Sequence, residues 1–311
     1  MDSNLRLISP LERAFHLKKL GGLRDLPPAE LAAMALLGQE HSFPRGAVLC
    51  PPGERVDRVH IVVEGRVRVR GGEHGDEMVG PEQTMGLLSL LARDDDGLDA
   101  VAETDTVTLA LRADDLFDAF EDDFGILYSQ ILDLARQLLR LRRRIPAGTY
   151  LAPGEYGDEP LTGPIDLVQR LLFLRRGPLA SANMDALVAI AQRMEVARFE
   201  PGTTLRQIGA PSGFMYALVS GRVRCTTEDG RRFVCGPGYP LGNLESQCGA
   251  ARWYEAVVET PVTGFRNETD AFLDTIEQHF EMALEFLATM ATGLIARRAE
   301  MRKETEPAVV A

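Results

Sequence analysis

The feature that most constrains this chain is that it repeats itself at one fixed spacing. Phe43-Pro44-Arg45-Gly46 returns 156 residues later as Phe199-Glu200-Pro201-Gly202. The same offset carries Gly53 to Gly209, Gly65-Arg66-Val67-Arg68 to Gly221-Arg222-Val223-Arg224, Gly80-Pro81 to Gly236-Pro237, Gly86 to Gly242, Glu103-Thr104 to Glu259-Thr260 and Phe124 to Phe280. No insertion interrupts this register. With 311 residues, each half is long enough to bury its own core, and 45% hydrophobic with 26% charged residues excludes a disordered or fibrous class.

The stretch from Pro146 to Gly163 is dense in Pro and Gly, which stops a helix and reads as a linker. The expected organisation is therefore a first domain over 1–146, a linker over 147–163, a second domain over 164–300 and a tail over 301–311. Each half opens with a helical run, Pro28 to Leu37 and Met184 to Arg193, and continues into short strands with period-two alternation. Val59, Ile61, Val63, Val67 and Val69 are expected on one face in the first half, and Met215, Ala217, Val219, Val223 and Cys225 in the second. A long helix closes each half, about Asp114 to Arg144 and about Asp270 to Arg298. The expected fold class is mainly β with α: two tandem β-rolls flanked by helices, each ended by a long C-terminal helix.

No run approaches the roughly 18 apolar residues of a membrane span, and the first residues lack the order of a signal peptide, so a cytoplasmic protein without membrane contact is expected. Cys50, Cys225, Cys235 and Cys248 form no CxxC pair and read as reduced thiols, while the five histidines show no ligand spacing, so no metal site is expected. A formal charge of −12 opposes a polyanion, and nucleic acid is excluded as a partner on that ground. The one basic cluster, Arg140, Arg142, Arg143 and Arg144, falls near the end of a predicted helix, where cations complement the helix dipole; a patch for a partner or a phosphate is the alternative.

The segment from Phe199 to Cys225, with Gly202, Gly209 and Gly221 at its turns, resembles the opening strands of cyclic-nucleotide-binding domains. These include the sensory half of the catabolite activator protein and the regulatory subunits of cAMP-dependent kinase. Phe43 to Val69 is similar to the same segment. The resemblance implies a phosphate cassette running roughly Phe-Gly-Glu-Leu-Ala-Leu and then Pro-Arg-Ala. In it a helix N-terminus and an arginine hold the cyclic phosphate, and a glutamate accepts the ribose hydroxyl.

On that resemblance the candidate site lies in the second domain: Gly242, Asn243 and Leu244 in the cassette, followed by Arg252 and Trp253. Asn243 stands in place of the glutamate. Glu245 falls where a small residue is usual, and a carboxylate about 4 Å from a phosphate would cost on the order of 4 kcal/mol unless it turned to solvent. The first half reads Met85-Gly86-Leu87-Leu88-Ser89-Leu90, with Asp96 at the position of Arg252, so any cAMP or cGMP is expected in the second domain only.

Neither a Ser-His-Asp arrangement nor a Walker loop is present, so no enzymatic activity is expected. A DNA-reading domain would have to follow Arg298, where about a dozen residues remain, so a transcription factor is not expected. Two functions remain. One is a regulatory protein that binds cyclic nucleotide in the second copy and signals to an unidentified protein partner through its long helices. The other is an interaction or scaffold module that has lost nucleotide binding. Phe117, Phe120, Phe124, Leu127, Ile131, Leu134, Leu138 and Leu141 step by three and four, as do Leu273, Ile276, Phe280, Ala283, Leu287, Met290 and Leu294. These stripes outrun one small roll. An intramolecular pseudo-dimer of the long helices, or a homodimer through them, is the expectation they support.

Overall fold

The computed structural model describes residues 9–71, 75–94, 97–141, 165–177, 179–180 and 182–305. The linker, Asp95, Asp96 and Arg142 to Arg144 lie outside the described residues. Two compact units are present: residues 1–133 together with 294–311, and residues 134–293.

In the first unit α1 (Pro10–Leu17) begins at a reciprocal capping box, Ser9 accepting from the Glu12 backbone while the Glu12 side chain accepts from the Ser9 N–H. The chain continues through α2 (Pro28–Leu37), β1 (Gln39–Phe43), β2 (Val48–Cys50), β3 (Arg58–Glu64), β4 (Val67–Gly71), β5 (Gly75–Val79), β6 (Thr84–Met85), α3 (Leu87–Leu91), β7 (Asp99–Ala102), β8 (Thr106–Arg112), α4 (Ala113–Asp122) and α5 (Phe124–Arg140). Two antiparallel four-stranded sheets, in the orders β1-β8-β3-β6 and β2-β7-β4-β5, form the roll. Val59, Ile61, Val67, Val69 and Leu109 are fully buried in its core.

The second unit repeats this plan with α6 (Leu167–Leu174), α7 (Met184–Arg193), β9 (Glu195–Phe199), β10 (Thr204–Arg206), β11 (Phe214–Ser220), β12 (Val223–Thr227), β13 (Arg232–Cys235), β14 (Pro240–Leu241), α8 (Asn243–Gln247), β15 (Tyr254–Val258), β16 (Val262–Glu268), α9 (Thr269–Gln278) and α10 (Phe280–Thr305), with α5 from Leu134 onward counted in this unit and α10 from Leu294 onward in the first. Its sheets, β14-β11-β16-β9 and β10-β15-β12-β13, match those of the first unit strand for strand. The repeated glycines at the turns are what let the same register close twice, because most of them adopt the left-handed backbone that other residues avoid.

Three expectations need correction. Each closing helix is broken rather than continuous, at Asp123 (φ −141°) and at His279 (φ −133°), which are equivalent under the repeat. At the first break the Asp123 carboxylate accepts from the Gly125 N–H at 2.8 Å, a local turn that competes with helical bonding. The last helix also runs further than Arg298, to Thr305. Finally, β3 and β11 each lose their alternation at a bulge, between Val62 and Glu64 and between Leu218 and Ser220: Val62 is buried rather than Val63, and Val219 is buried directly beside Leu218, out of phase with Met215 and Ala217. No helix among the described residues is long and apolar enough to cross a membrane.

Candidate functional site

The cassette of the second unit is built at the junction of β14 and α8. Gly242 caps the helix with φ +86°, and its N–H donates to the Tyr254 hydroxyl at 3.0 Å. Glu245, in the first turn of α8, is fully buried instead of turning to solvent. Its partner is Arg206, which enters from β10 and donates through Nη2 to Glu245 Oε1. The guanidinium carbon lies 5.0 Å from the centre of the Tyr254 ring, so the cation rests on an aromatic face as well as on a carboxylate.

This pair occupies the space beside the helix start. A Cβ placed on Gly242 would lie 1.7 Å from Arg206 Nη1. Arg206 and Glu245 are both shut off from water, and Arg206 Nε and Nη1 have no further hydrogen-bond partner. Burial pushes the Glu245 carboxyl up from its ordinary range, against the pull of the Arg206 guanidinium. The start of α8 favours negative charge, and here the protein's own carboxylate supplies it.

Gly242→Ala tests that crowding. Positive φ alone costs about 1–3 kcal/mol for a side-chain-bearing residue, and the new methyl must also displace a buried guanidinium. We expect urea unfolding of the full chain to show the second unit weakened by at least that amount.

The five residues singled out from the sequence are dispersed around this pair. Gly242 is the cap, and Leu244 is wholly buried in the core. Asn243 is 5% exposed and its Oδ1 has no partner. Trp253 packs edge-on against Tyr254 at 4.8 Å. Arg252 is half-buried, with its guanidinium 5.1 Å above the Phe214 ring and its backbone bonded to Gly209 and Ala210. Burial, then repulsion by Arg206, makes its charged form less favourable.

Arg206 is not among those five because it lies 39 residues before Glu245. The repeat does contain the signal. Arg206, Glu245 and Tyr254 correspond to Cys50, Ser89 and Leu98, so a cation, an anion and a phenol appear together where the first copy has small or apolar residues. All three counterparts are buried, and burial pushes the Cys50 thiol up to about 11. Gly86 caps α3 with φ +90°, as Gly242 caps α8. Asp96 lies outside the described residues.

Cys50 and Cys225 are buried, Cys248 is half-buried, and Cys225 and Cys235 are joined by a thiol hydrogen bond with sulfurs 3.8 Å apart rather than by a disulfide. Among the described residues no group of three or more His, Cys, Asp or Glu side chains is placed to hold a metal ion.

Comparison with known proteins gives one family match, the cyclic nucleotide-binding domain, over residues 40–123 and again over 196–279, together more than half of the chain. No curated protein matches. Among solved structures, the regulatory subunit of a cAMP-independent protein kinase A from Trypanosoma brucei is 16% identical, covering 99% of this chain and 92% of that one, with a TM-score of 0.34. The regulatory domain of Toxoplasma gondii PKA with cAMP is 14% identical over 91% of this chain and 96% of that one, TM-score 0.34. The N-terminal domain of a transcriptional regulator from Streptomyces coelicolor A3(2) is 23% identical over 43% of this chain and 96% of that one, TM-score 0.37.

Proposed function

Because this chain belongs to the cyclic nucleotide-binding domain family, with one copy in each half, we propose that it is a non-enzymatic regulatory protein whose cassettes are filled by its own side chains and which acts on a protein partner without taking up cAMP or cGMP. The observation that carries this reading is the buried Arg206–Glu245 pair at the start of α8. A cyclic phosphate entering there would have to pull a cation and an anion away from each other inside a low-dielectric site, and breaking such a pair costs about 3–5 kcal/mol. It would then meet a carboxylate of its own sign. The first cassette offers no compensation, since its matching residues Cys50, Ser89 and Leu98 carry no cation.

A protein partner is supported by apolar side chains left exposed on the opening helices. Leu11 and Phe15 are one turn apart on α1 and 68% and 61% exposed. Val168 and Leu172 repeat that spacing on α6 and are also exposed. Transmission through α5 and α10 completes this reading, and the stripe residues Leu127, Ile131, Leu134, Leu287, Met290 and Leu294 are buried.

Calorimetric titration of the full chain with cAMP and with cGMP should give no saturable heat at ligand concentrations up to about 1 mM, where a site of even millimolar Kd would register. Arg252→Glu should leave that result unchanged. Saturable binding of one nucleotide per chain that disappears in Arg252→Glu would overturn the proposal and restore a cyclic-nucleotide sensor in the second unit.

A further inference from the structure

The second unit holds a largely apolar cavity of about 90 Å³, open on one side and bordered by α6, α7, α9, α10 and β11, with Ile190, Met215, Phe272 and Phe286 among its walls. One side of it is the cassette helix itself. Asn243 and Gln247 line the cavity, four residues apart and so on one face of α8. Glu245, two residues from each, points away from that face toward Arg206. The cavity is therefore separate from the charged cassette, although the two share a helix.

Asn243 is 5% exposed and Gln247 3%, and the amide oxygen of each has no hydrogen-bond partner. An unsatisfied buried polar group costs about 1–3 kcal/mol. The first copy avoids that cost, because the same two positions are Leu87 and Leu91. Leucines would serve the second copy better if the space had only to be filled.

Water is a poor answer to the unpaired amides. A cavity of this size has room for several waters at about 10–15 Å³ each, but a buried water needs two to four polar partners, and these walls are largely apolar. A compact organic molecule meets both requirements at once: its body covers the apolar wall and its hydrogen-bond donors satisfy the amide oxygens. We infer that this cavity is a binding site for a small, mostly apolar molecule bearing one or two hydrogen-bond donors, oriented by Asn243 and Gln247. Its occupancy would bear on both the cassette helix and the closing helices, since α8, α9 and α10 each contribute to its wall.

Phenol and benzene are suitable probes, differing by the single donor. With the full chain, calorimetry and thermal shift should show phenol binding at one per chain, about tenfold tighter than benzene, the value of one net hydrogen bond. The near-isosteric double variant N243L/Q247M should bring phenol down to the benzene level, keep benzene binding, and raise the melting temperature of the unliganded protein. Ala217→Leu, which fills the cavity from β11, should abolish binding of both probes and remains informative if the double variant does not fold. The inference is overturned if phenol shows no saturable binding, if phenol and benzene bind the unaltered chain alike, or if either variant leaves the advantage of phenol intact.

Discussion

Arg206→Ala is expected to destabilise the second unit by about 3–5 kcal/mol, because it strands the Glu245 carboxylate in a site closed to water. Glu245→Ala should cost a similar amount, leaving a buried guanidinium whose Nε and Nη1 already lack partners. The decisive variant removes both charges at nearly constant volume. Arg206→Met with Glu245→Leu should lose far less than either single substitution, since apolar replacements for a buried pair are often neutral. Trp253 is the sole tryptophan and packs 4.8 Å from Tyr254, so its fluorescence reports unfolding of this site directly. Single losses below about 1 kcal/mol that simply add in the double variant would show a solvated ion pair of the surface kind. The proposed closure of the cassette would then lose its support.

The stability of the first unit should fall as the pH drops from about 6.5 to about 4, by about 3 kcal/mol in all. His60 is the cause. It is 3% exposed, its Nδ1 lies 3.0 Å from Thr108 Oγ1, and burial first, then repulsion by His41 and Arg58, lowers its pKa to about 4. The unfolded chain takes up a proton near 6.5 while the folded chain stays neutral, so stability is complete above the unfolded pKa and is lost as pH falls through that window. His41 shifts the same way and steepens the slope. Glu245 acts oppositely, because its raised pKa lets the folded second unit take up a proton more readily than the unfolded chain. Hydrogen exchange resolved to β3 and β8 separates the two units. His60→Asn, which keeps a polar atom toward Thr108 but does not titrate, should remove most of the slope there. An unchanged slope in that variant would show that His60 is not the titrating group.

The constant offset of 156 residues determined most of the architecture. Because no insertion intervenes, every strand of one unit has its counterpart in the other, from β1 and β9 to β8 and β16, and so do the breaks at Asp123 and His279. The helical runs Pro28 to Leu37 and Met184 to Arg193 follow the same logic, since their spacing and boundary residues are local information. The breaks themselves were not legible. The three-and-four stepping of apolar residues continues across Asp123 and His279, and periodicity cannot see a single extended residue that leaves the stripe in phase.

What the tertiary structure alone decided is the chemistry of the second cassette. Arg206 and Glu245 meet because β10 pairs with β15, and β15 carries Tyr254 back to the start of α8. Nothing at the spacing of one helix turn or one strand pair announces that contact. Side-chain direction follows the same rule: one face of β11 with Met215 and Ala217 and one face of α8 with Asn243 and Gln247 came to oppose each other around a cavity, whereas Glu245 went to the other side. Sequence patterns encode which residues share a face of one element. Which faces then oppose each other depends on register and closure of the roll, a property of the whole folded chain.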